Sequence, residues 1–333
     1  MSSNDEQSLT IAVVICTRDR PRELERCLEA VKRLKPAPYE VLIVDNAPSS
    51  TPVEMIAKAF GVRYAVEPIV GLSRARNTGA AHCTADVVAY TDDDAVPERD
   101  WIAHLADPFR DQRVMAVGGR IGHLAVDTEG GISSNDHADI SNRSRTIRSI
   151  GRENPNWFEM ANFGALGDGG NQAIRRRAFE VWNGFDVRLG RGTTIGGGED
   201  HFSLFELLEL GYRVVYAPRA VVRHPLPRTI AEILRRRQTV VEEFVAYSAF
   251  LATVRPKYAL RVLRYGAQAM MGARRRWQPD RPPRSAVGSG WLLLLRGIAR
   301  GLRRFFASRA ANHDRHRRAR GPVDFTAGPH AAP

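Results

Sequence analysis

Four short apolar runs, with helical segments between them, fill residues 9 to 92. The first, "LTIAVVIC" (9 to 16), is apolar throughout after Thr10 and reads as a strand buried on both faces. "RPRELERCLEAVKRL" follows, with Leu24, Cys27, Leu28, Val31 and Leu34 on one helical face and Pro21 near its start, where a missing N–H costs little. "YEVLIVDNA", "VRYAVEP" and "DVVAYTDDD" read as the next three strands. "STPVEMIAKAF" and "GLSRARNTGAAHCT" are the helices between them. This alternation restricts the chain to the α/β class: an open, mostly parallel sheet with helices on both faces. Sheets of that kind bind ligands at the carboxyl ends of their strands.

The strand ends are polar. The first closes in Thr17-Arg18-Asp19, the second in Asp45-Asn46, and the fourth in Asp92-Asp93-Asp94. Adjacent carboxylates repel, so three in a row need compensation from a cation or strong hydrogen bonds. A solvated turn explains one such end; polar groups on one edge at three ends point to a site. In extended backbone Asp92 and Asp94 face the same way and Asp93 faces the other. A pair of hard oxygen donors suits Mg2+ or Mn2+, which would bridge phosphate oxygens and stabilise a phosphate leaving group. Neither a P-loop nor a G-x-G-x-x-G fingerprint occurs, which removes the main support for an ATPase or a dehydrogenase. A second constellation is "GGGED" (196 to 200). Its acids either complement the dipole of a helix they begin, or one of them acts as a general base toward a hydroxyl. His224, in "AVVRHP", is either an ordinary surface histidine or a metal ligand, and spacing does not choose between them.

Charge is unevenly placed. Of 49 Lys/Arg and 37 Asp/Glu in the 333 residues, 22 and 6 lie beyond residue 225, so a mildly acidic body carries a strongly basic tail. Anionic membranes and nucleic acid are the partners such a tail suggests. The start, "MSSNDEQSLT", lacks the features of a signal peptide, and no apolar run approaches the roughly 18 residues of a membrane span. Three unpaired-looking cysteines fit a reduced compartment, so a cytoplasmic protein is expected. Residues 127 to 156 read as a long polar loop, a candidate lid. "YRVVYAP" and "AVVRHP" read as two strands, and "FSLFELLEL" as a buried helix that includes Leu210. Helices are expected beyond 226, then a Pro-rich linker, then an amphipathic helix over 291 to 310. That helix either packs its apolar face on the rest of the chain or lies on an anionic membrane, at the inner face of the cell membrane.

Five stretches, "VVICTRDRPRELERCLEAV", "YEVLIVDNAPSS", "GLSRARNTGAAHCTADVVAYTDDDAVPERDWI", "GGNQAIRRRAFEVWNGFD" and "GGGEDHFSLFELLELGYRVVYAPRAVVRHP", occur in an order that resembles the family 2 glycosyltransferases and cover roughly residues 10 to 225. The resemblance implies a GT-A fold and inverting transfer of a sugar from a nucleoside-diphosphate sugar to an acceptor hydroxyl, with Mn2+ or Mg2+ as cofactor. It implies a nucleotide-sugar-binding half (1–118), an acceptor-binding half with the catalytic base (119–225), a basic helical extension (226–312) and a tail expected to be disordered (313–333). By position, Thr17, Arg18 and Asp45 would line the base and ribose pocket, and Arg76 would lie near the nucleotide. Asp92 and Asp94 would form the Asp-x-Asp motif, with Asp94 the more direct metal ligand and Asp92 near ribose or metal. Asp200 would be the base, Glu199 would orient the acceptor, and His224 would complete the metal shell. The tail has "RRRQ" (235 to 238) rather than the Gln-x-x-Arg-Trp of polymerising members, so transfer is expected to be non-processive, to a small or lipid-linked acceptor. Two alternatives stand beside this. A sugar-1-phosphate nucleotidyltransferase would want a glycine-rich basic loop where this chain has "CTRDRPREL". A non-catalytic nucleic-acid-binding protein would use the basic tail, but no nucleic-acid-reading motif occurs, so nucleic acid is not an expected partner.

Overall fold

A computed structural model of the chain describes residues 9–50, 52–126, 132–133, 146–164, 166–225, 230–276 and 287–315. They gather into two compact units, one built from 9–187 with 199–225, the other from 188–198 with the helices beyond 230. Much of the loop expected over 127–156 lies outside the described residues, though Ile132–Ser133 and Arg148–Ile150 within it are strands. Residues 277–286 and 316–333 also lie outside them, while 287–290, expected as linker, and 313–315, expected as disordered tail, are helical.

The first unit begins as the apolar runs dictate. Strands β1 (Ile11–Thr17), β2 (Glu40–Asn46), β3 (Arg63–Glu67) and β4 (Val87–Asp92) alternate with helices α1 (Pro21–Val31), α2 (Pro52–Phe60) and α3 (Leu72–His82). All four strands pair in parallel, in the order β3-β2-β1-β4. Ala12, Val13, Val14 and Ile15 are fully buried, as a central strand covered on both faces requires. Helix α1 lays Leu24, Cys27, Leu28 and Val31 onto that sheet, and each Leu or Val among them contributes about 1.5–3 kcal/mol when fully buried. Helix α3 comes in closer. A Cβ on Gly79 would stand 2.5 Å from Val14 Cγ1, so a glycine is what lets this helix touch the strand.

After β4 come β5 (Val96–Pro97), α4 (Trp101–Ala106), β6 (Val114–Val126), β7 (Ile132–Ser133), β8 (Arg148–Ile150), α5 (Trp157–Asn162), β9 (Asn171–Arg175), α6 (Ala178–Trp182), α7 (Glu199–Glu209) and β10 (Arg213–Pro225). The sheet continues β4-β9-β6-β10-β5; β9 runs antiparallel to both its neighbours, and β6 and β10 are parallel. Where two strands were expected over 212–225 there is one, β10, with a register shift between Ala217 and Val221. Pro218 falls there; having no N–H to give a ladder, it is tolerated where pairing is already broken. Leu210, expected in the buried helix, is instead exposed, because α7 stops at Glu209 and Gly211 turns the chain at φ +93°.

The second unit is helical: α8 (Ile230–Val254), α9 (Ala259–Arg276) and α10 (Val287–Arg315), with the glycine-bearing segment Arg188–Gly198 packed on them. Gly198 is at φ +85°, and a Cβ there would stand 2.4 Å from the Tyr247 ring.

Candidate active site

The parallel register aligns the polar strand ends. Thr17 of β1 lies opposite Asp45 of β2, and Cys16 opposite Asp92 of β4. Asp92 ends β4, and the chain does not stay extended beyond it: it turns, with the Ala95 N–H donating to the Asp92 carbonyl oxygen at 3.1 Å, and the three aspartates part company in that turn. Asp93 turns inward and is buried. It accepts the Thr17 hydroxyl at 2.7 Å and Arg20 Nη1 at 2.7 Å, while Arg20 Nη2 reaches Asp94 Oδ2 at 2.8 Å. Burial lifts the Asp93 carboxyl to about 6, against the pull of the Thr17 hydrogen bond and the Arg20 charge. Part of the carboxylate crowding is therefore offset by the protein's own guanidinium, which forks across two side chains.

Asp92 and Asp94 meet His224 from β10. One ligand atom of each lies within 4.8 Å of the others. Strand β10 is held there by antiparallel pairing of Arg223 with Val96 and by an Arg223–Glu98 ion pair at 2.6 Å. His224 Nε2 stands 3.2 Å from Asp92 Oδ2, and Nδ1 stands 3.2 Å from Asp94 Oδ1. Two carboxylates and one imidazole that converge to within 4.8 Å are a donor set that fits Mn2+ or Mg2+.

Glu199 and Asp200 open α7. Glu199 is buried and accepts Arg76 Nη1 at 2.9 Å. The Arg76 guanidinium, itself buried, lies 5.4 Å from the Phe185 ring centre and 5.9 Å from that of Tyr90. Burial and the Asp200 charge raise the Glu199 carboxyl, with Arg76 opposing. Asp200 goes the other way: burial would raise it, but His201, Arg76 and backbone hydrogen bonds outweigh that and lower it. Those bonds come from the Gly169 N–H to Oδ2 at 2.8 Å and the His201 N–H to Oδ1 at 2.8 Å. Gly169 is wedged in place, since a Cβ on it would come 2.6 Å from Arg76 Nη2. A Cβ on Gly170 would come 2.5 Å from Asp92 Oδ2. One dipeptide thus touches Asp200 and Arg76 on one side and Asp92 on the other, which joins the carboxylate that could accept a proton to the group that could hold a metal.

On the β2 side, Asp45 is buried and takes the Tyr64 hydroxyl on Oδ2 at 3.1 Å, while its Oδ1 has no partner among the described residues. Burial raises this carboxyl, with the Tyr64 bond opposing. An orphaned buried acceptor is costly unless something fills it, and the N–H or hydroxyl of a nucleoside would. Thr17 is buried with its hydroxyl given to Asp93, and Arg18 is half-exposed beside Asp19. Cys16, Cys27 and Cys83 are free thiols whose ionisation burial suppresses, Cys16 being raised to about 12, so none serves as a nucleophile.

The profile described as "Glycosyl transferase family 2" matches residues 12–182. The chain belongs to that family. A pre-mycofactocin glycosyltransferase of Mycobacterium tuberculosis is 27% identical to this family 2 chain over 303 residues, 88% of the chain and 54% of that protein. Glycosyltransferase AglE of Haloferax volcanii is 24% identical over 235 residues, 68% of the chain and 70% of that protein. The chain spans about half the length of the first of these relatives. Among solved structures, the mannosyltransferase PcManGT from Pyrobaculum calidifontis, in complex with GDP-Man and Mn2+, aligns with a TM-score of 0.52 at 19% identity, covering 91% of this chain and 86% of that one. The family 2 chain accordingly has the GT-A fold.

The structure brings Asp92, Asp94 and His224 together, and separately Arg76, Glu199 and Asp200. Sequence reasoning passed over Arg20, Gly169 and Gly170. The signal for the glycines was in view: a Gly-Gly step just before a buried strand marks a close approach. Nothing in the spacing of Arg20 announced that it would reach across to the next strand end.

Proposed function

We propose that this chain is a metal-dependent, inverting and non-processive glycosyltransferase that moves a sugar from a nucleoside-diphosphate sugar to an acceptor hydroxyl. The observation that supports the reading is the Gly169–Gly170 step: the Gly169 N–H bonds to the Asp200 carboxylate, and Gly170 packs against Asp92, which lies with Asp94 and His224. Those three side chains would hold Mn2+ or Mg2+, which would supply positive charge toward a departing diphosphate. Asp45 Oδ1 accepts a hydrogen bond from the nucleoside, next to Thr17 and Arg18. Arg76 remains cationic among Glu199, Asp92 and Asp200 and sets the field on the sugar side.

Asp200 is the base. The acceptor oxygen attacks the anomeric carbon from the face opposite the diphosphate. The new C–O bond forms, the bond to the diphosphate oxygen breaks with its electron pair, and the hydroxyl proton passes to Asp200. A carboxylate held this acidic takes the proton only as the attacking oxygen bonds to carbon and becomes acidic itself, so proton transfer is late. Its two backbone N–H bonds leave a lone pair on each oxygen for that proton. Glu199, spent on Arg76, keeps that cation in place and orients the acceptor side through it. The acceptor is a small or lipid-linked hydroxyl compound.

The test is Asp200→Asn. Turnover should fall by roughly 10²–10⁴-fold, with nucleoside-diphosphate affinity by calorimetry little changed. Turnover equal to the native protein refutes the assignment. Asp94→Ala should erase the difference in nucleotide affinity with and without Mn2+; a difference that persists refutes the metal site.

A further inference from the structure

The C-terminal helices carry an outward face that the proposed chemistry does not use. Helix α10 packs on α8 through small residues. A Cβ on Gly297 would stand 2.7 Å from Val241 Cγ1, and one on Gly301 would stand 2.6 Å from the Glu242 carbonyl oxygen. Phe305 and Ser308 continue this buried stripe, at the three- and four-residue steps of one helical face. Arg300 and Arg304 lean the same way and pair with Glu242 at 3.3 and 2.9 Å. Because the glycines take the inner face, large apolar side chains are left outside. Leu295, Leu302 and Phe306 are 53%, 40% and 62% exposed, and their spacing of seven and four residues aligns them in one strip.

Arginines border that strip. Arg296 and Arg303 lie along one edge and Arg309 along the other; all three are exposed, and none pairs with a carboxylate among the described residues. Helix α9 repeats the pattern: Leu260 and Leu263 are 77% and 68% exposed, with Lys257 and Arg264 exposed nearby. The sequence holds no Asp or Glu between Glu243 and Asp280, or between Asp280 and Asp314. Apolar side chains bordered by unpaired guanidinium groups, with no acid among them, match the boundary where acyl chains meet phosphate headgroups. No helix among the described residues is long and apolar enough to cross a membrane, so such a helix would lie along the surface.

We propose that the outer face of α10, bearing Leu295, Leu302 and Phe306 between Arg296, Arg303 and Arg309, rests on an anionic phospholipid surface. The site chemistry proposed above is not needed for this, and the test does not read turnover. The full chain is sedimented with vesicles of phosphatidylcholine alone and of phosphatidylcholine with phosphatidylglycerol. The native chain should pellet with the anionic vesicles far more than with the neutral ones. Leu302→Gln/Phe306→Gln should cut the bound fraction at least about tenfold, and Arg296→Gln/Arg303→Gln should weaken binding roughly fivefold per arginine. These side chains point outward, so thermal unfolding should be unchanged. The idea is overturned if the native chain stays in the supernatant, if the outward variants bind like the native chain, or if the strip proves to join two copies in solution without binding vesicles.

Discussion

Removing Arg76 tests how the two carboxylates at the start of α7 are kept apart in role. In Arg76→Met the replacement fills similar space between Tyr90 and Phe185 but takes away the cation that faces Glu199, Asp200 and Asp92. Glu199, buried and 2.9 Å from that guanidinium, is left beside a second carboxylate with the Arg76 charge gone and only His201 opposing. Breaking a buried pair from one side costs about 3–5 kcal/mol, a large share of a total stability of about 5–15 kcal/mol. That loss has a ceiling, because Glu199 can take up a proton instead. Its carboxyl is already raised by burial and Asp200, and losing Arg76 raises it further. The sign follows. A carboxyl whose folded value lies above its unfolded value of about 4.3 lends stability below that value and loses it as pH rises through the folded one. The deficit of the variant should therefore be near its full size at pH 7.5 and should shrink toward pH 5. Urea unfolding of the native and variant chains at both pH values measures it. In the double variant Arg76→Met/Glu199→Gln the loss should be smaller than the sum of the singles by more than about 0.5 kcal/mol. A deficit that is the same at both pH values, together with additive singles, would refute the reasoning.

His224→Gln should weaken Mn2+ binding by about tenfold or more, measured by calorimetry, with the melting temperature unchanged; native affinity would exclude the ring from the metal shell. Arg20→Met leaves Asp93 buried with only the Thr17 hydroxyl, and should cost about 1–3 kcal/mol in denaturant unfolding, with Mn2+ restoring part of it by binding the folded state. Restoration by neutral osmolyte but not by Mn2+ would count against the metal. Gly79→Ala, favourable for an isolated helix by about 1 kcal/mol, should instead destabilise by about 1–3 kcal/mol, because its Cβ meets Val14 Cγ1 at 2.5 Å; a rise in melting temperature would show that α3 can lift.

The first half of the sheet was legible because burial on both faces leaves a plain mark: continuous apolar runs, bounded by helices whose inward face repeats every three to four residues. The second half was less so. Residues 212–225 read as two strands because Pro218 interrupts the pattern, and only the neighbouring strand β6 shows that one strand passes through a bulge. The two-residue period put Asp92 and Asp94 on one side, but what brings both to His224 is a turn after Asp92, which that period does not describe. His224 was not separable from an ordinary histidine, since what brings it to the aspartates is the pairing of β10 with β5, a contact between residues far apart in the chain. The amphipathic pattern of 291–310 was visible, yet its packing face was not. A hydrophobic wheel counts large side chains, and α10 packs through Gly297 and Gly301, which such a count scores as nothing.

The three aspartates at the end of β4 show how one cluster of charge is divided. A single cation shared by all three would leave its binding as the only thing that offsets the repulsion. Instead Asp93 turns into the protein, where Thr17 and Arg20 hold it whether or not a metal is bound. Arg20 also takes one oxygen of Asp94, which leaves the other oxygen and Asp92 facing His224. Two negative charges and one imidazole then remain for a divalent ion. Two carboxylates would balance the charge of a divalent ion, where three bare carboxylates would leave the group with a net negative charge. At the metal site proposed above, Arg20 would tune affinity without touching the ion, and Asp93 is what keeps Arg20 at its post.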